Sequence, residues 1–173
     1  MNCTTVLSTT SFGRWKPNTA NRMSDRVTIR QATAGDTDRI VAIENRSFGS
    51  DRFSRRQFSH LIRRAQGVFY VAIHEDGIAG YISLLEHKKH TTLRIYAIAV
   101  HPDFRGKQVA QALMDEAARY ARQQGLAALS LEVKTDNTAA LGLYAKNGFS
   151  VTSLEKSYYP DGSDAYRMQK QLR

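Results

Sequence analysis

Three stretches of this chain hold the residue types from which chemistry is built. The first is "HPDFRGKQVAQAL", residues 101–113, where Pro102 ends an apolar run, Arg105-Gly106-Lys107 makes a basic bend, and an apolar-periodic helix begins near Gln108. The first N–H groups of a helix have no partner within it. With the helix dipole and the side chains of Arg105 and Lys107, such a bend can hold an anion such as a phosphate. The same residues also suit an ordinary strand–helix loop with solvated cations. The second feature is Glu132, a lone carboxylate inside the apolar run "LSLEV". A carboxylate there is costly unless it is partnered or functional, although strand alternation also lets it face outward. The third is the pair Asn137 and Tyr144. Asn137 suits the cap of a helix, and Tyr144, seven residues on, lies two turns later on the same face.

The elements that must position these residues follow from the punctuation of the chain. "VTIRQA" reads as a strand, and Asp36 to Arg46 as a helix with Ile40 and Ile43 inward. A second helix starts at Ser54, where Ser54 and Gln57 have capping-box spacing. Two strands follow around the Asp76-Gly77 turn signal. "TLRIYAIAV", apolar at nearly every position, suits a strand buried on both faces. A helix from Gln108 to about Gln124 stops at Gly125. The strand "LAALSLEV", a helix from Asn137 to Lys146 closed by Gly148, and two strands around "YYPDGSDAY" complete the chain. The order β-α-α-β-β-β-α-β-α-β-β predicts an α/β domain with a mixed sheet.

Composition narrows the function classes. With 173 residues, 42% hydrophobic and 24% charged, the chain suits one globular domain. A single cysteine, Cys3, rules out a disulfide framework and fits a reducing, cytoplasmic setting. No apolar run approaches the roughly 18–20 residues of a membrane span. The formal charge of +9 comes from dispersed cations without a nucleic-acid motif, so no nucleic-acid partner is expected. His60, His74, His87, His90 and His101 have no metal-ligand spacing, and no Gly-x-Ser-x-Gly elbow occurs; no metal is expected. Residues 1–25, rich in Ser, Thr and Asn and free of acid before Asp25, read as a flexible tail outside the chemistry. Met23 is a possible alternative start, and residues 26–173 form the domain.

The bend resembles motif A of the GNAT-type N-acetyltransferases. That motif is an arginine or glutamine, two residues, a glycine, one residue, then glycine or alanine. Here it reads Arg105-Gly106-Lys107-Gln108-Val109-Ala110, with Gln108 in place of the middle glycine. "LSLEVKTDNTAALGLYAKNGF" is similar to the next block of that family. "YYPDGSDAYRM" and "IENRSFGSDRFS" resemble the subgroup that acetylates protein N-termini, typified by the ribosomal-protein-alanine N-acetyltransferases. The resemblance covers residues 27–170.

It implies a GNAT-like mixed sheet with helices on both faces and two splayed central parallel strands. It also implies acetyl-CoA as co-substrate. Backbone groups of Ile98, Ala99 and Val100 would pair with pantetheine, Arg105 to Gln111 would hold the pyrophosphate, and Asn137 would bond the cofactor. A right-handed helical Gln108 could still donate its N–H. Glu132 falls at the family position of the base and Tyr144 at that of the acid for the CoA thiolate. Tyr158 and Tyr159 would wall the acceptor groove, with Phe48 and Phe53 on the loop that covers it. The partners implied are acetyl-CoA and an amine acceptor, on a monomer or weak dimer.

The implied reaction needs a neutral amine. An α-amino group of pKa about 7.7–8.0 costs roughly 1 kcal/mol to deprotonate at pH 7, and a lysine of about 10.4 roughly 4.6 kcal/mol. "YYPDGSDAY" favours a protein N-terminus over a lysine, polyamine or small amine. Glu132 and Tyr144 together favour an enzyme over a non-catalytic CoA-binding sensor.

Overall fold

Runs of β-branched and aromatic residues in "GVFYVAIH", "GIAGYISLL" and "TLRIYAIAV" suit a pleated, buried surface. In the computed structural model they form the middle of a seven-stranded sheet. The structure describes residues 27–48, 52–63, 67–75, 77–86 and 91–172. The tail at 1–25 lies outside the described residues.

Along the chain, β1 (Thr28–Gln31) is followed by a short 3-10 turn, then α1 (Thr37–Ser47) and α2 (Arg55–Arg63). Strands β2 (Gly67–His74), β3 (Gly77–Leu85) and β4 (Thr92–Val100) come next. Helix α3 (Val109–Gln123), strand β5 (Ala128–Lys134), helix α4 (Thr138–Lys146), and strands β6 (Ser150–Glu155) and β7 (Ala165–Gln171) complete the order anticipated from the sequence. The spatial order is β1-β2-β3-β4-β5-β7-β6. Among the described residues, only β4 and β5 pair in parallel. Among the described residues, no helix is long and apolar enough to cross a membrane.

Helices cover both faces. Val109, Leu113, Met114 and Ala117 of α3, with Ala140 and Tyr144 of α4, pack on Leu93, Ile95, Leu129, Leu131 and Val133 of the sheet. On the other face Ile40 and Ile43 of α1 and Phe58 of α2 pack on Phe69, Val71, Tyr81, Ala97 and Ala99. The start of α3 sits unusually close to the sheet. A Cβ on Gly80 would stand 2.7 Å from Ala99 O and 3.0 Å from Val109 Cγ1. The missing side chain at Gly80 is what lets α3 approach there.

Caps fall where the sequence places them. Ser54 N–H and Oγ–H donate to Gln57 Oε1 at 2.8 and 2.7 Å, and Gln57 N–H donates back to Ser54 Oγ at 3.3 Å. Asn137 Oδ1 accepts from Ala140 N–H at 3.1 Å and caps α4. Gly148 follows α4 with φ 82°, the left-handed conformation that ends helices.

Candidate active site

The central feature is a gap between two parallel strands. β4 and β5 are in register only over Thr92–Arg94 and Ala128–Ser130. Beyond these residues both strands continue, β4 to Val100 and β5 to Lys134, without pairing to one another. The cause lies in β4. Ser83 faces Ala97 on β4 and Leu84 faces Ile95, so Tyr96 is an extra residue, a β-bulge. The bulge bends β4 away from β5 and resets its alternation: Leu93 and Ile95 belong to the α3/α4 face, Ala97 and Ala99 to the α1/α2 face.

The backbone polarity of β4 follows. His101 N–H donates to Ala79 O at 2.8 Å, so the N–H and C=O of alternate residues Ala99 and Ala97 also turn toward β3. Those of Ile98 and Val100 therefore turn toward the gap. This row of peptide groups is what an extended amide-containing chain can pair with, as a strand would.

At the end of β4 the chain makes the basic bend. Gly106 has φ 78°, and Gln108, which the sequence suggested would be right-handed helical, has φ 59° and ψ 13°. Gln108 thus adopts the left-handed conformation open to glycine, which costs an L-residue about 1–2 kcal/mol. The bend shape is kept and the side chain strained. The first bond of α3 runs from Ala112 N–H to Gln108 O at 3.0 Å, so the amides of Val109, Ala110 and Gln111 precede the ladder and point out of the helix end. In the same bend, Lys107 Nζ lies 5.2 Å from the Phe104 ring centre. The helix dipole and the outward amides meet at this end of α3, an arrangement that suits an anion.

Glu132 lies on the open part of β5, 3% exposed. Leu131 and Val133 point to the α3/α4 face, so Glu132 points to the opposite one. It is heavily partnered. Arg94 donates to Oε2 from Nε at 2.9 Å and from Nη2 at 2.7 Å, and Arg167 Nε donates to Oε1 at 3.2 Å. Arg94 Nη2 also reaches Tyr158 Oη at 2.6 Å, and its guanidinium lies 5.5 Å from the centre of the Tyr96 ring. Tyr96 in turn packs against Phe53 with ring centres 5.5 Å apart. Glu132, Tyr158, Tyr96 and Phe53 form a continuous wall on the α1/α2 side of the gap.

The other expected residues are placed less uniformly. Tyr159 is 2% exposed, packed edge-on to Tyr158 at 5.1 Å, with Lys134 Nζ 5.0 Å from its ring centre. Phe48 and Phe53 lie in the connection between α1 and α2, and both are buried in the α1/α2 core. Tyr144 belongs to the α3/α4 core against Phe149, on the face of the sheet opposite to Glu132.

Sequence reasoning passed over one carboxyl. Glu44 of α1 is 1% exposed. Its Oε1 accepts Phe53 N–H at 2.7 Å and its Oε2 accepts the Tyr81 hydroxyl in a short bond. Burial pushes this carboxyl up to about 7, against the two hydrogen bonds that favour its charged form. A signal was present, since Glu44 shares the i, i+3, i+4 stripe with Ile40 and Ile43. Among the described residues there is no group of three His, Cys, Asp or Glu side chains able to hold a metal ion.

The family model "Acetyltransferase (GNAT) family" matches residues 37–149, from the start of α1 to the end of the α4 turn. The chain belongs to the GNAT acetyltransferase family. Its relatives include an N-alpha-acetyltransferase of Mycobacterium tuberculosis, 30% identical over 151 residues, with 85% of this chain and 94% of that protein covered. An uncharacterized protein of Mycobacterium leprae is 32% identical over 162 residues, 91% of this chain, but the chain spans only 44% of its length. Among solved structures, the ribosomal-protein-S18-alanine N-acetyltransferase of Escherichia coli superposes with a TM-score of 0.76 at 25% identity, covering 85% of this chain and 94% of that one. Enzymes of the GNAT family use acetyl-CoA and an amine acceptor.

Proposed function

We propose that this GNAT enzyme transfers the acetyl group of acetyl-CoA to the α-amino group of a protein N-terminus. The observation that carries the donor half is the gap. A bulge at Tyr96 turns Ile98 and Val100 toward an opening that leads to the left-handed bend at Gly106 and Gln108. The peptide groups of Ile98 and Val100 would hold the pantetheine amides. The amides of Val109 to Gln111, with Arg105 and Lys107, would hold the pyrophosphate. The acceptor half rests on the wall of Glu132, Tyr158, Tyr96 and Phe53, which suits a peptide entering from the α1/α2 side, and on the N-alpha-acetyltransferase relatives.

In the transfer, the amine nitrogen bonds to the acetyl carbon, the carbon–sulfur bond breaks, one amine proton is lost and the thiolate gains one. A carboxylate offers about four lone-pair sites, and Arg94 and Arg167 occupy three on Glu132. The remaining one can accept a proton from the amine, directly or through a water. Tyr144, arriving from the other face, is the group that can return a proton to sulfur. The separation of these two roles across the sheet matches a reaction in which donor and acceptor meet at the gap.

The test is CoA release measured with acetyl-CoA and a panel of peptides with varied first residues, alongside amino-blocked peptides carrying a lysine and a polyamine. Turnover confined to free α-amines is the expected result. Turnover on the lysine or polyamine alone would sink this reading.

A further inference from the structure

We infer that Glu44 is a positioning residue for the amine acceptor, acting through the backbone of Phe53. This inference rests on the N-terminal acetyltransferase reading above. The geometry carries it. Glu44 is a polar side chain that the proton transfers do not use, and it is sealed in an apolar core of Ile40, Ile43, Phe58 and Phe69. A carboxyl in such surroundings is costly unless its hydrogen bonds are made. Both oxygens are engaged: one by the Phe53 amide at 2.7 Å, the other by the Tyr81 hydroxyl of β3.

The first of these bonds fixes a particular place. Phe53 stands in the connection between α1 and α2, just ahead of the Ser54 cap. Its ring meets Phe58 at 5.6 Å and, at 5.5 Å, Tyr96, the bulge residue that opens the sheet. Glu44 therefore ties the acceptor-side wall to β3 through one side chain. Loss of the tie frees the Phe53 backbone while the bend at 105–111, on the far end of β4, keeps its own bonds. The consequence is selective: acceptor affinity should change and acetyl-CoA affinity should not.

Two substitutions separate this from a merely structural role. Glu44→Gln keeps an acceptor oxygen for the Phe53 amide and should hold the acceptor KM within about twofold of wild type. Glu44→Ala removes it and should raise the acceptor KM on the order of tenfold, with the KM for acetyl-CoA within about twofold. In parallel, amide exchange of Phe53 should quicken in Glu44→Ala and stay protected in Glu44→Gln. If Glu44→Ala does not fold, Glu44→Asp, one methylene shorter and still a carboxyl, should show the same selective rise in acceptor KM. An unchanged acceptor KM in the alanine or aspartate variant, or both KM values rising together, overturns the proposal. Wild-type enzyme that accepts no peptide N-terminus defeats the underlying reading instead, and the Phe53 exchange result still decides whether the tie exists.

Discussion

Arg94 and Arg167 make three hydrogen bonds to Glu132, and the proton-accepting role proposed for this carboxylate sets what substitution should do. Glu132→Gln removes the proposed proton acceptor and should lower kcat/KM by on the order of 10²-fold or more while acetyl-CoA still binds. The deficit should shrink as pH passes about 8, where an α-amino substrate arrives already neutral. Tyr144→Phe should slow turnover with little change in acetyl-CoA affinity. Full activity of Glu132→Gln at pH 7 would remove this carboxylate from the mechanism. Gln108 offers a second test at this scale. Its φ of 59° is strained for an L-residue, so Gln108→Gly should raise stability by about 1 kcal/mol and keep or tighten acetyl-CoA binding. A loss of binding on that change would make the glutamine side chain a ligand contact. The basic bend at 105–111 and the lone carboxylate at 132 stand out in the chain because each breaks a local pattern, whereas Tyr144 stands out only by its spacing from Asn137, and the roles proposed for 132 and 144 come from resemblance. The left-handed Gln108 could not, since nothing in its residue type favours that conformation and the surrounding bend imposes it. The two arginines on Glu132 were hidden for a related reason: they come from β4 and β7, strands that only the folded sheet brings together.

At the scale of elements, the period of apolar residues and the caps at Ser54, Asn137 and Gly148 announce nearly every helix and strand. The bulge is another matter. "YAIAV" reads as unbroken strand, and the extra residue at Tyr96 exists only relative to the register of β3. The splay that the bulge produces was therefore available from resemblance and not from spacing. Gly80 shows the same dependence on packing. Ala99 O and Val109 Cγ1 crowd the space a Cβ would need, so Gly80→Ala should push the start of α3 off the sheet. A stability loss of about 1–3 kcal/mol is expected from such overpacking. Because the displaced end is the proposed diphosphate cradle, a weaker thermal shift with acetyl-CoA should accompany it. A Gly80→Ala protein with unchanged melting temperature and unchanged acetyl-CoA binding would contradict that account of the α3 approach.

At the scale of the whole molecule, Asp36 and Glu44 make stability respond to pH with opposite signs. Arg30 pairs with Asp36 at 2.8 Å and holds its carboxyl well below the usual range. Its contribution is present above the ordinary carboxylate pKa and is lost as the solution becomes strongly acidic. Glu44 works the other way. Its folded value, raised to about 7 from 4.5, means that the folded chain keeps a proton that the unfolded chain has already released. Stability contributed by protonated Glu44 is complete below about pH 4.5 and is lost as pH rises toward 7, by about 1.4 kcal/mol for each unit of the window. Glu44→Gln removes that loss. Its melting temperature relative to wild type should rise steadily from pH 5 to pH 7 and level off above. A difference that is flat across that range would show that Glu44 does not titrate there.

The claim joining these scales is that the gap brings an acetyl donor to a peptide α-amine. Its most direct test is one peptide with a free N-terminus and an internal lysine, incubated with enzyme and acetyl-CoA near pH 7.5 and mapped by fragment mass. Acetyl placed on the α-amine, dependent on enzyme and reduced on the order of 10²-fold by Glu132→Gln, is the predicted result. Acetyl on the lysine alone, or none on any peptide that the enzyme is offered, would contradict it.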